Sequence, residues 1–468
     1  MKKGDELDLK ILSLNSEGAG IAKTEEGLVV FVKNALPGDI IRTKITRKKN
    51  NFAEGSLTDI LTESPFRIKP QCNIFGVCGG CKIQNYKYDK QLEYKTEVTG
   101  DAFKKIGGFD NLEIPGAIGC KEIYFYRNKM EFSFSDDKWF MSKDEKTNDR
   151  FALGLHIPKF YSKIIDVEDC KLQSEISNGI LNFTREFFKS RNASIYNTHT
   201  HTGYLRFLVI RQSRNTDDLM VNLITNSYDK KIADEYAKEL LNNFPSITTI
   251  VNSTTERKAQ VAFSEKEYVL HGEGFIYEIL SNNGRQYKFK ISPNSFFQTN
   301  TSQTEILYKT GLEFLQPRSN DSVLDLYCGA GSISIFTSDL VKKVTGVEIV
   351  KDAVDNANEN ALINYVTNVN FIESDIKDFM KQLELTNCEF NKVILDPPRA
   401  GLHPDICRII SETNFEKIVY ISCNPVTQAR DLQIICSDNR YRIEKIQPVD
   451  MFPQTYHVEN VCSLVGSY

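Results

Sequence analysis

The chain has 468 residues, 41% of them hydrophobic and 26% charged, an ordinary globular composition with length for about three domains of ~150 residues. No segment approaches the ~20 continuous apolar residues of a membrane span, and the N-terminus MKKGDELDLK lacks a signal-peptide apolar core, so a cytoplasmic location without a membrane partner is expected. A net charge of −4 rules out arguing nucleic-acid binding from the overall balance, and eleven cysteines, an odd number, speak against a disulfide framework.

Residues 4–62 alternate β-like runs (LDLKILSL, GLVVFV, DIIRTKIT) with glycine and polar turns (GAG, EEG, ALPGD), which predicts a small β-barrel. From Lys33 to Lys49, six cations (Lys33, Arg42, Lys44, Arg47, Lys48, Lys49) face one acid, Asp39, making either a solvated basic face or a phosphate-binding one. Cys72, Cys78 and Cys81 follow in QCNIFGVCGGCKIQ, where glycines permit the tight turns that converge thiolates on one centre. Cys170, in the polar stretch VEDCKLQ, is the best fourth ligand, because Cys388, Cys407, Cys436 and Cys462 fall in the C-terminal half. Four thiolates suit zinc or an iron–sulfur cluster, and spacing alone does not decide between them; buried structural cysteines are the plainer alternative.

Residues 123–288 mix β-rich stretches (YRNKMEFSFS, YLRFLVIRQS, LMVNLIT) with a helical one (DEYAKELLNNF), an α+β pattern. Arg127 and Lys129 in YRNKMEF and Arg206 in YLRF are candidates to grip RNA, with salt bridges to the chain's own carboxylates as the alternative use. Beyond about residue 290, short apolar strands ending in polar or glycine turns alternate with helical patterns. In KDAVDNANENALINY, Val354, Ala357, Ala361, Leu362 and Tyr365 are expected on one helical face. Alternation of this kind predicts a parallel, doubly wound sheet whose ligands lie beyond the carboxyl ends of its strands.

The turns at those ends carry the chemistry. In Ser292-Pro293-Asn294-Ser295-Phe296-Phe297-Gln298, Phe296 can stack on a cofactor or base and the Gln298 amide can both donate and accept. Asp325-Leu326-Tyr327-Cys328-Gly329-Ala330-Gly331 is a strand opening into a glycine turn, but Ser334 stands where a dinucleotide fingerprint needs its third glycine. Asp325, Glu348 and Asp375 end successive strands, a pattern that resembles S-adenosylmethionine-dependent methyltransferases, with the acids serving methionine, ribose and adenine in turn. NAD or FAD binding, or plain helix capping, are the competing uses.

Asp396-Pro397-Pro398-Arg399 follows the next strand, and its prolines leave carbonyls free for a substrate. Cys423 then ends the apolar run VYISC, shortly before a helix N-terminus that favours a thiolate. Uracil explains the need for one: thiolate addition at carbon 6 makes carbon 5 nucleophilic, and a base must later remove the carbon-5 proton. Glu459, opening the run VCSLV, is the preferred base over His457.

Taken in order over 292–459, S-P-x-x-F-F-Q-x-N, D-L-Y-C-G-A-G, D-P-P-R-A-G, S-C-N-P and H-V-E resemble the RNA (uracil-5-)-methyltransferase family. The resemblance implies that Gln298, Tyr327, Glu348 and Asp396 contact S-adenosylmethionine, beside Asp325, Gly329 and Asp375, with Cys423 as nucleophile and Glu459 as base. Pro-Pro rather than Pro-Cys at 397–398 favours uracil over the neighbouring 5-methylcytosine enzymes. Family members with comparable F-G-x-C-G-G-C and E-D-C contexts imply a 4Fe–4S cluster on Cys72, Cys78, Cys81 and Cys170. E-G-x-G-I-A and A-L-P-G-D in residues 4–62 resemble the TRAM domain, an RNA-binding barrel.

The expected architecture is therefore a TRAM barrel over 1–62, a central α+β RNA-binding domain over 63–288 (its residues 91–122 a candidate to pack with the next domain) and a Rossmann-like α/β methyltransferase domain over 289–468. Within the family that the motifs resemble, the barrel and the cysteine trio imply 23S rRNA as the partner of a monomeric enzyme. A tRNA uracil-5-methyltransferase and a noncatalytic RNA-binding relic are the alternatives.

Overall fold

The structure, a computed structural model, describes every residue except 143–148, 159, 385–388 and 468, so Cys388 lies outside the described residues. Two compact units emerge. The first comprises Met1–Ile123, Cys423–Arg430 and Gln447–Asn460; the second comprises Tyr124–Ser422, Asp431–Ile446 and Val461–Tyr468.

In the first unit, β1 (Glu6–Leu14), β2 (Gly20–Lys23), β3 (Val29–Val32), β4 (Ile40–Lys48) and β5 (Phe52–Thr62) close a barrel in the order β1-β2-β3-β5-β4. Alternation drives the closure: Ile41, Thr43 and Ile45 of β4 point inward with Leu9, Ile11, Val30 and Val32, while Arg42 and Lys44 point out. Arg42 and Arg47 pair with Asp8 and Glu54, so part of the basic run is neutralised by the barrel's own acids. Asp39 is fully buried, accepts the Leu36 and Ser64 N–H groups at 2.7 and 2.8 Å and pairs with Arg67. Beyond the cysteine loop comes α1 (Tyr88–Lys105).

The second unit contains two sheets and a hairpin. The first sheet is built from β6 (Lys129–Ser135), β7 (Ala152–Ile157), β8 (Phe160–Asp166), β9 (Leu205–Gln212), β10 (Leu219–Thr225), β11 (Thr249–Thr254) and β12 (Lys266–His271), ordered β12-β11-β10-β9-β6-β7-β8. Helices α2 (Glu175–Ser190) and α3 (Lys230–Asn243) start at Ser174 and Asp229, whose side chains accept the first free helical N–H groups. A hairpin of β13 (Ile276–Asn282) and β14 (Arg285–Ile291) leads to α4 (Thr301–Leu315).

The alternating elements then follow as β15 (Ser322–Leu326), α5 (Ser332–Ser338), β16 (Lys343–Glu348), α6 (Lys351–Ile363), β17 (Val369–Glu373), α7 (Ile376–Glu384), β18 (Lys392–Leu395), α8 (Pro404–Glu412), β19 (Lys417–Ser422), α9 (Pro425–Ile435), β20 (Tyr441–Val449) and β21 (Glu459–Gly466). Their sheet runs β17-β16-β15-β18-β19-β21-β20, with β15 to β19 pairing in parallel as expected. The strand β20 is not foreseen from the sequence. It occupies the edge, the position that tolerates Pro448, and places β21 inside the sheet.

On α6 the expected face needs correction. Val354, Ala357 and Ala361 are buried, but Leu362 is 76% and Tyr365 92% exposed. Leu362 is turned ~100° from Ala361, and Tyr365 lies past the helix end at φ 56°. Asn360 completes the buried stripe instead, donating to the Ala330 carbonyl and accepting the Lys290 N–H.

Glu278 of β13 is a buried hub. Its carboxylate accepts from Ser213 Oγ (2.8 Å), Arg214 N (2.9 Å), Asn215 N (3.0 Å), Ile279 N (3.0 Å) and Thr301 Oγ1 (2.7 Å), tying the turn after β9 to the start of α4. Glu278→Ala leaves these donors without their acceptor and should cost at least ~3 kcal/mol. Urea unfolding checks it; a midpoint within error of wild type refutes the hub.

Candidate active site

In the second unit, β15 delivers Asp325 fully buried, where Ser334 of α5 donates to its Oδ2 at 2.5 Å. The other oxygen, Oδ1, has no hydrogen-bond partner among the described residues, so the pocket holds an acceptor without a donor. Burial, with Asp396 and Glu348 nearby, pushes the Asp325 carboxyl up to about 7. Asp396, half-buried just past β18, is likewise pushed up to about 7 by its loss of water.

Between them the chain turns through Tyr327 (φ 67°), Gly329 (φ 53°) and Gly331 (φ 76°). A side chain on Gly331 would meet the Phe371 ring at 2.6 Å and Ala357 at 3.0 Å, so only glycine fits there, while a Cβ on Gly329 would meet open space. Glu348 closes the turn: its Oε2 accepts the Gly329 N–H at 3.2 Å, and Oε1 accepts Ile349 and Val350 N–H at 2.9 and 3.0 Å. Ile349 and Val350 are 59% and 53% exposed, an apolar shelf beside the carboxylate. An orphaned carboxylate oxygen, an open glycine cradle and a carboxylate flanked by apolar surface fit the ammonium, the chain and the ribose–base part of S-adenosylmethionine.

The loop 292–300 is held by two residues that the sequence reading did not single out. Arg211 of β9, buried, donates to the Pro293 and Ser295 carbonyls, and burial brings its guanidinium down to about 10. Asn128 Nδ2 donates to the Gln298 carbonyl (3.0 Å) and Thr301 Oγ1 (2.9 Å). Gln298 is half-buried, and Phe296 is 72% exposed, open to stacking. Asp375 is exposed and accepts the Lys377 and Asp378 N–H groups at the start of α7.

In the first unit, half-buried Cys423 directly follows β19, and Asn424 starts α9, accepting the Val426 N–H at Oδ1. Buried Glu459 opens β21, the strand beside β19. Gln428 ties the two segments reciprocally: its Nε2 donates to the Asn460 carbonyl (3.2 Å), and its Oε1 accepts from Asn460 Nδ2 (2.6 Å). His457 instead packs its ring on Tyr456, 4.1 Å between centroids.

One expected contact differs. Arg206 is 2% exposed, donates to the Thr255 and Ala259 carbonyls and lies over the Tyr196 ring, an interior use rather than a surface grip. Lys129 is half-buried and paired with Glu131; Arg127 is half-buried, its N–H bonded to the Leu172 carbonyl. Cys78 Sγ accepts the Gly80 N–H at 3.3 Å, and Gln84 donates to Cys81 Sγ at 3.5 Å while accepting the Cys72 N–H. Among the described residues, however, no three His, Cys, Asp or Glu side chains form a group that could hold a metal ion. Cys170 lies in the second unit, its backbone bonded to Asn178.

A parallel sheet with an open glycine turn and acids at its strand ends fits the class of S-adenosylmethionine-dependent methyltransferases. The sequence profile of the tRNA (uracil-5-)-methyltransferase family matches residues 206–465, and that of the TRAM domain residues 1–58. The chain is 37% identical to an uncharacterized RNA methyltransferase of Chlorobaculum tepidum, with 98% of this chain and 96% of the relative covered. It is 38% identical to one of Bacteroides thetaiotaomicron, covering 96% and 99%. The tRNA (uracil-54, C5)-methyltransferase of Pyrococcus abyssi, solved with S-adenosyl-L-homocysteine, superposes with a TM-score of 0.75 at 28% identity, over 98% of this chain and all of that one. The chain belongs to the RNA uracil-5-methyltransferase family and carries a TRAM domain. No helix among the described residues is long and apolar enough to cross a membrane.

The raised Asp325 carboxyl has a pH signature. Between its unfolded value of 3.8 and its folded value of about 7, the folded state keeps a proton the unfolded chain has released. Its stabilising contribution is thus full below about pH 4 and lost as pH rises through about 7. Ligand-free Asp325→Asn should melt above wild type at pH 8, with the gap closing towards about pH 4. Melting curves across that range check it, and a gap independent of pH refutes it.

Proposed function

We propose that the protein transfers a methyl group to carbon 5 of a uridine in 23S rRNA through a covalent Cys423 adduct. What supports the reading most is the pairing of Cys423 and Glu459: they stand at the ends of neighbouring strands, and Gln428 and Asn460 clasp the two segments together. The Cys423 thiolate adds to carbon 6 of the uracil, and the electron pair moves to carbon 5 as an enolate. Bound S-adenosylmethionine, which Asp325, Gly329, Glu348, Gln298, Tyr327 and Asp396 would hold, supplies the electrophilic methyl. Glu459 then takes the carbon-5 proton, the carbon 5–carbon 6 double bond reforms and the thiolate leaves. The barrel, the central domain over 63–288 and the domain from 289 onward divide RNA grip from chemistry in a cytoplasmic enzyme.

The rRNA assignment rests on the barrel and the cysteine trio. A tRNA uridine is the second reading, favoured by the similarity to the Pyrococcus abyssi tRNA (uracil-54, C5)-methyltransferase, which aligns with nearly the whole of this chain. Labelled methyl transfer to purified rRNA and tRNA separates them. Incorporation into 23S rRNA is expected; tRNA alone shifts the substrate, and RNA binding without incorporation into either indicates a noncatalytic relic.

Cys423→Ala should form no denaturant-stable adduct with 5-fluorouridine RNA. Glu459→Gln should accumulate methylated adduct, with release slowed at least ~10²-fold. An adduct in the first variant, or normal turnover in the second, overturns the respective role.

For the cysteine loop, the thiol donors and the N–H groups directed at Cys78 and Cys81 support the 4Fe–4S assignment, whereas their arrangement does not form a closed metal group. No step of the reaction is routed through it. Anaerobically prepared protein should contain iron and acid-labile sulfide, both lost in Cys78→Ala. Zinc without sulfide defeats the assignment.

A further inference from the structure

Helix α1 lies more than 350 residues before Glu459 in the chain, yet one of its faces is spent on the segment that leads to it. Tyr88, Gln91 and Lys95 are spaced three and four apart, the spacing of a single helical face. The Tyr88 hydroxyl donates to Asp450 Oδ2 (2.9 Å) and accepts the Cys120 N–H (2.6 Å). Lys95 Nζ pairs with Asp450 Oδ1 and donates to the Phe452 carbonyl (3.1 Å). Gln91 Nε2 donates to Gln454 Oε1 (3.0 Å), and its own Oε1 accepts the Gln454 N–H (3.0 Å).

The ion pair and the glutamine pair are sealed from water. The Lys95 and Asp450 side chains have no exposure, and Gln91 and Gln454 have 1% each. Gln454 is also held at φ 70°, a left-handed conformation that costs a non-glycine residue about 1–3 kcal/mol unless its surroundings impose it. Its carbonyl accepts the Lys82 and Ile83 N–H groups at 2.9 and 3.2 Å, so this point is fastened on two sides. Five residues on comes Glu459, and beyond it Asn460 is clasped by Gln428.

The segment 450–460 is thus anchored at both ends, with Glu459 close to the second anchor. Stability alone does not call for such an anchor, since well-packed apolar side chains often serve as well as a buried ion pair. A defined position is what a proton acceptor needs: it must stand within hydrogen-bond reach of the proton it removes.

We propose that Tyr88, Gln91 and Lys95 form a positioning clamp on Asp450, Phe452 and Gln454 that sets where the Glu459 carboxylate stands, and with it the rate of adduct release. The inference rests on Cys423 and Glu459 acting as nucleophile and base. In the step concerned, the Glu459 carboxylate accepts the carbon-5 proton, the C–H electron pair becomes the carbon 5–carbon 6 π bond, and the carbon 6–sulfur bond breaks to return the thiolate. A displacement of ~1 Å suffices to slow such a step ~10²-fold.

The test uses the full chain with uridine RNA and S-adenosylmethionine in single turnover, following methylated, denaturant-stable protein–RNA complex as it forms and as it is released. Lys95→Met alone would strand the Asp450 charge, so the primary variant is Lys95→Met with Asp450→Leu, beside Gln91→Leu as a milder one. Thermal melting selects variants that fold. In those, adduct formation should stay within ~3-fold of wild type while release slows ~10²-fold. Release at the wild-type rate, or formation and release slowed alike as a purely structural role would produce, overturns the clamp. Cys423→Ala run in parallel separates the failures: an adduct surviving there sinks the covalent reading itself, whereas its loss there with normal release in the clamp variants sinks only the clamp.

Discussion

A buried ion pair between residues 355 apart in the chain, Lys95 and Asp450, ties helix α1 to the segment that leads to Glu459. Taking both charges out of water costs several kcal/mol each, so the pair holds only while its geometry and its added hydrogen bonds stay intact. Burial pulls the Lys95 ammonium below its ordinary value, and Asp450 opposes that pull. The Tyr88 hydroxyl, the Phe452 carbonyl and the Phe452 N–H are further partners of the pair. Through these bonds and those of Gln91 to Gln454, α1 fastens the chain ahead of Glu459.

The second unit is organised around the opposite electrostatic condition. Asp325 and Asp396 are carboxyls whose charge is disfavoured because water is excluded, and no cation among the described residues forms an ion pair with them. Such a site is poised for a ligand that brings positive charge, and S-adenosylmethionine carries both an ammonium and a sulfonium. Ser334, at the place where a dinucleotide fold would need a glycine, instead donates to Asp325 and fixes the face of the carboxylate left open.

Much of this was legible in the sequence because it depends on local pattern. The runs ending at Leu326, Glu348, Leu395 and Ser422 are parallel strands whose ends carry the expected turns, and residues 4–62 form the expected barrel. The misses are long-range. Leu362 and Tyr365 fit an apolar helical pattern, but the stripe that packs is completed by Asn360, whose amide satisfies two distant backbone groups. Arg206 looked like a surface cation, yet its partners are carbonyls about fifty residues away, which no local window contains. Strand β20, with its proline, gave a weak strand signal and takes shape at the edge, where the missing N–H is tolerated.

By itself the sequence determined the reaction class, since the order of the motifs from Ser292 to Glu459 specifies the residue types the chemistry needs, and side-chain periodicity specifies the strands that present them. Tertiary structure alone decided what holds those residues: Arg211 and Asn128 on the loop before α4, Gln428 on Asn460, and the face of α1 on Asp450 and Gln454. The physical reason is burial. A lysine, a glutamine or an arginine reads as a surface residue until folding removes its water, and which groups replace that water is set by segments that meet only in the folded chain.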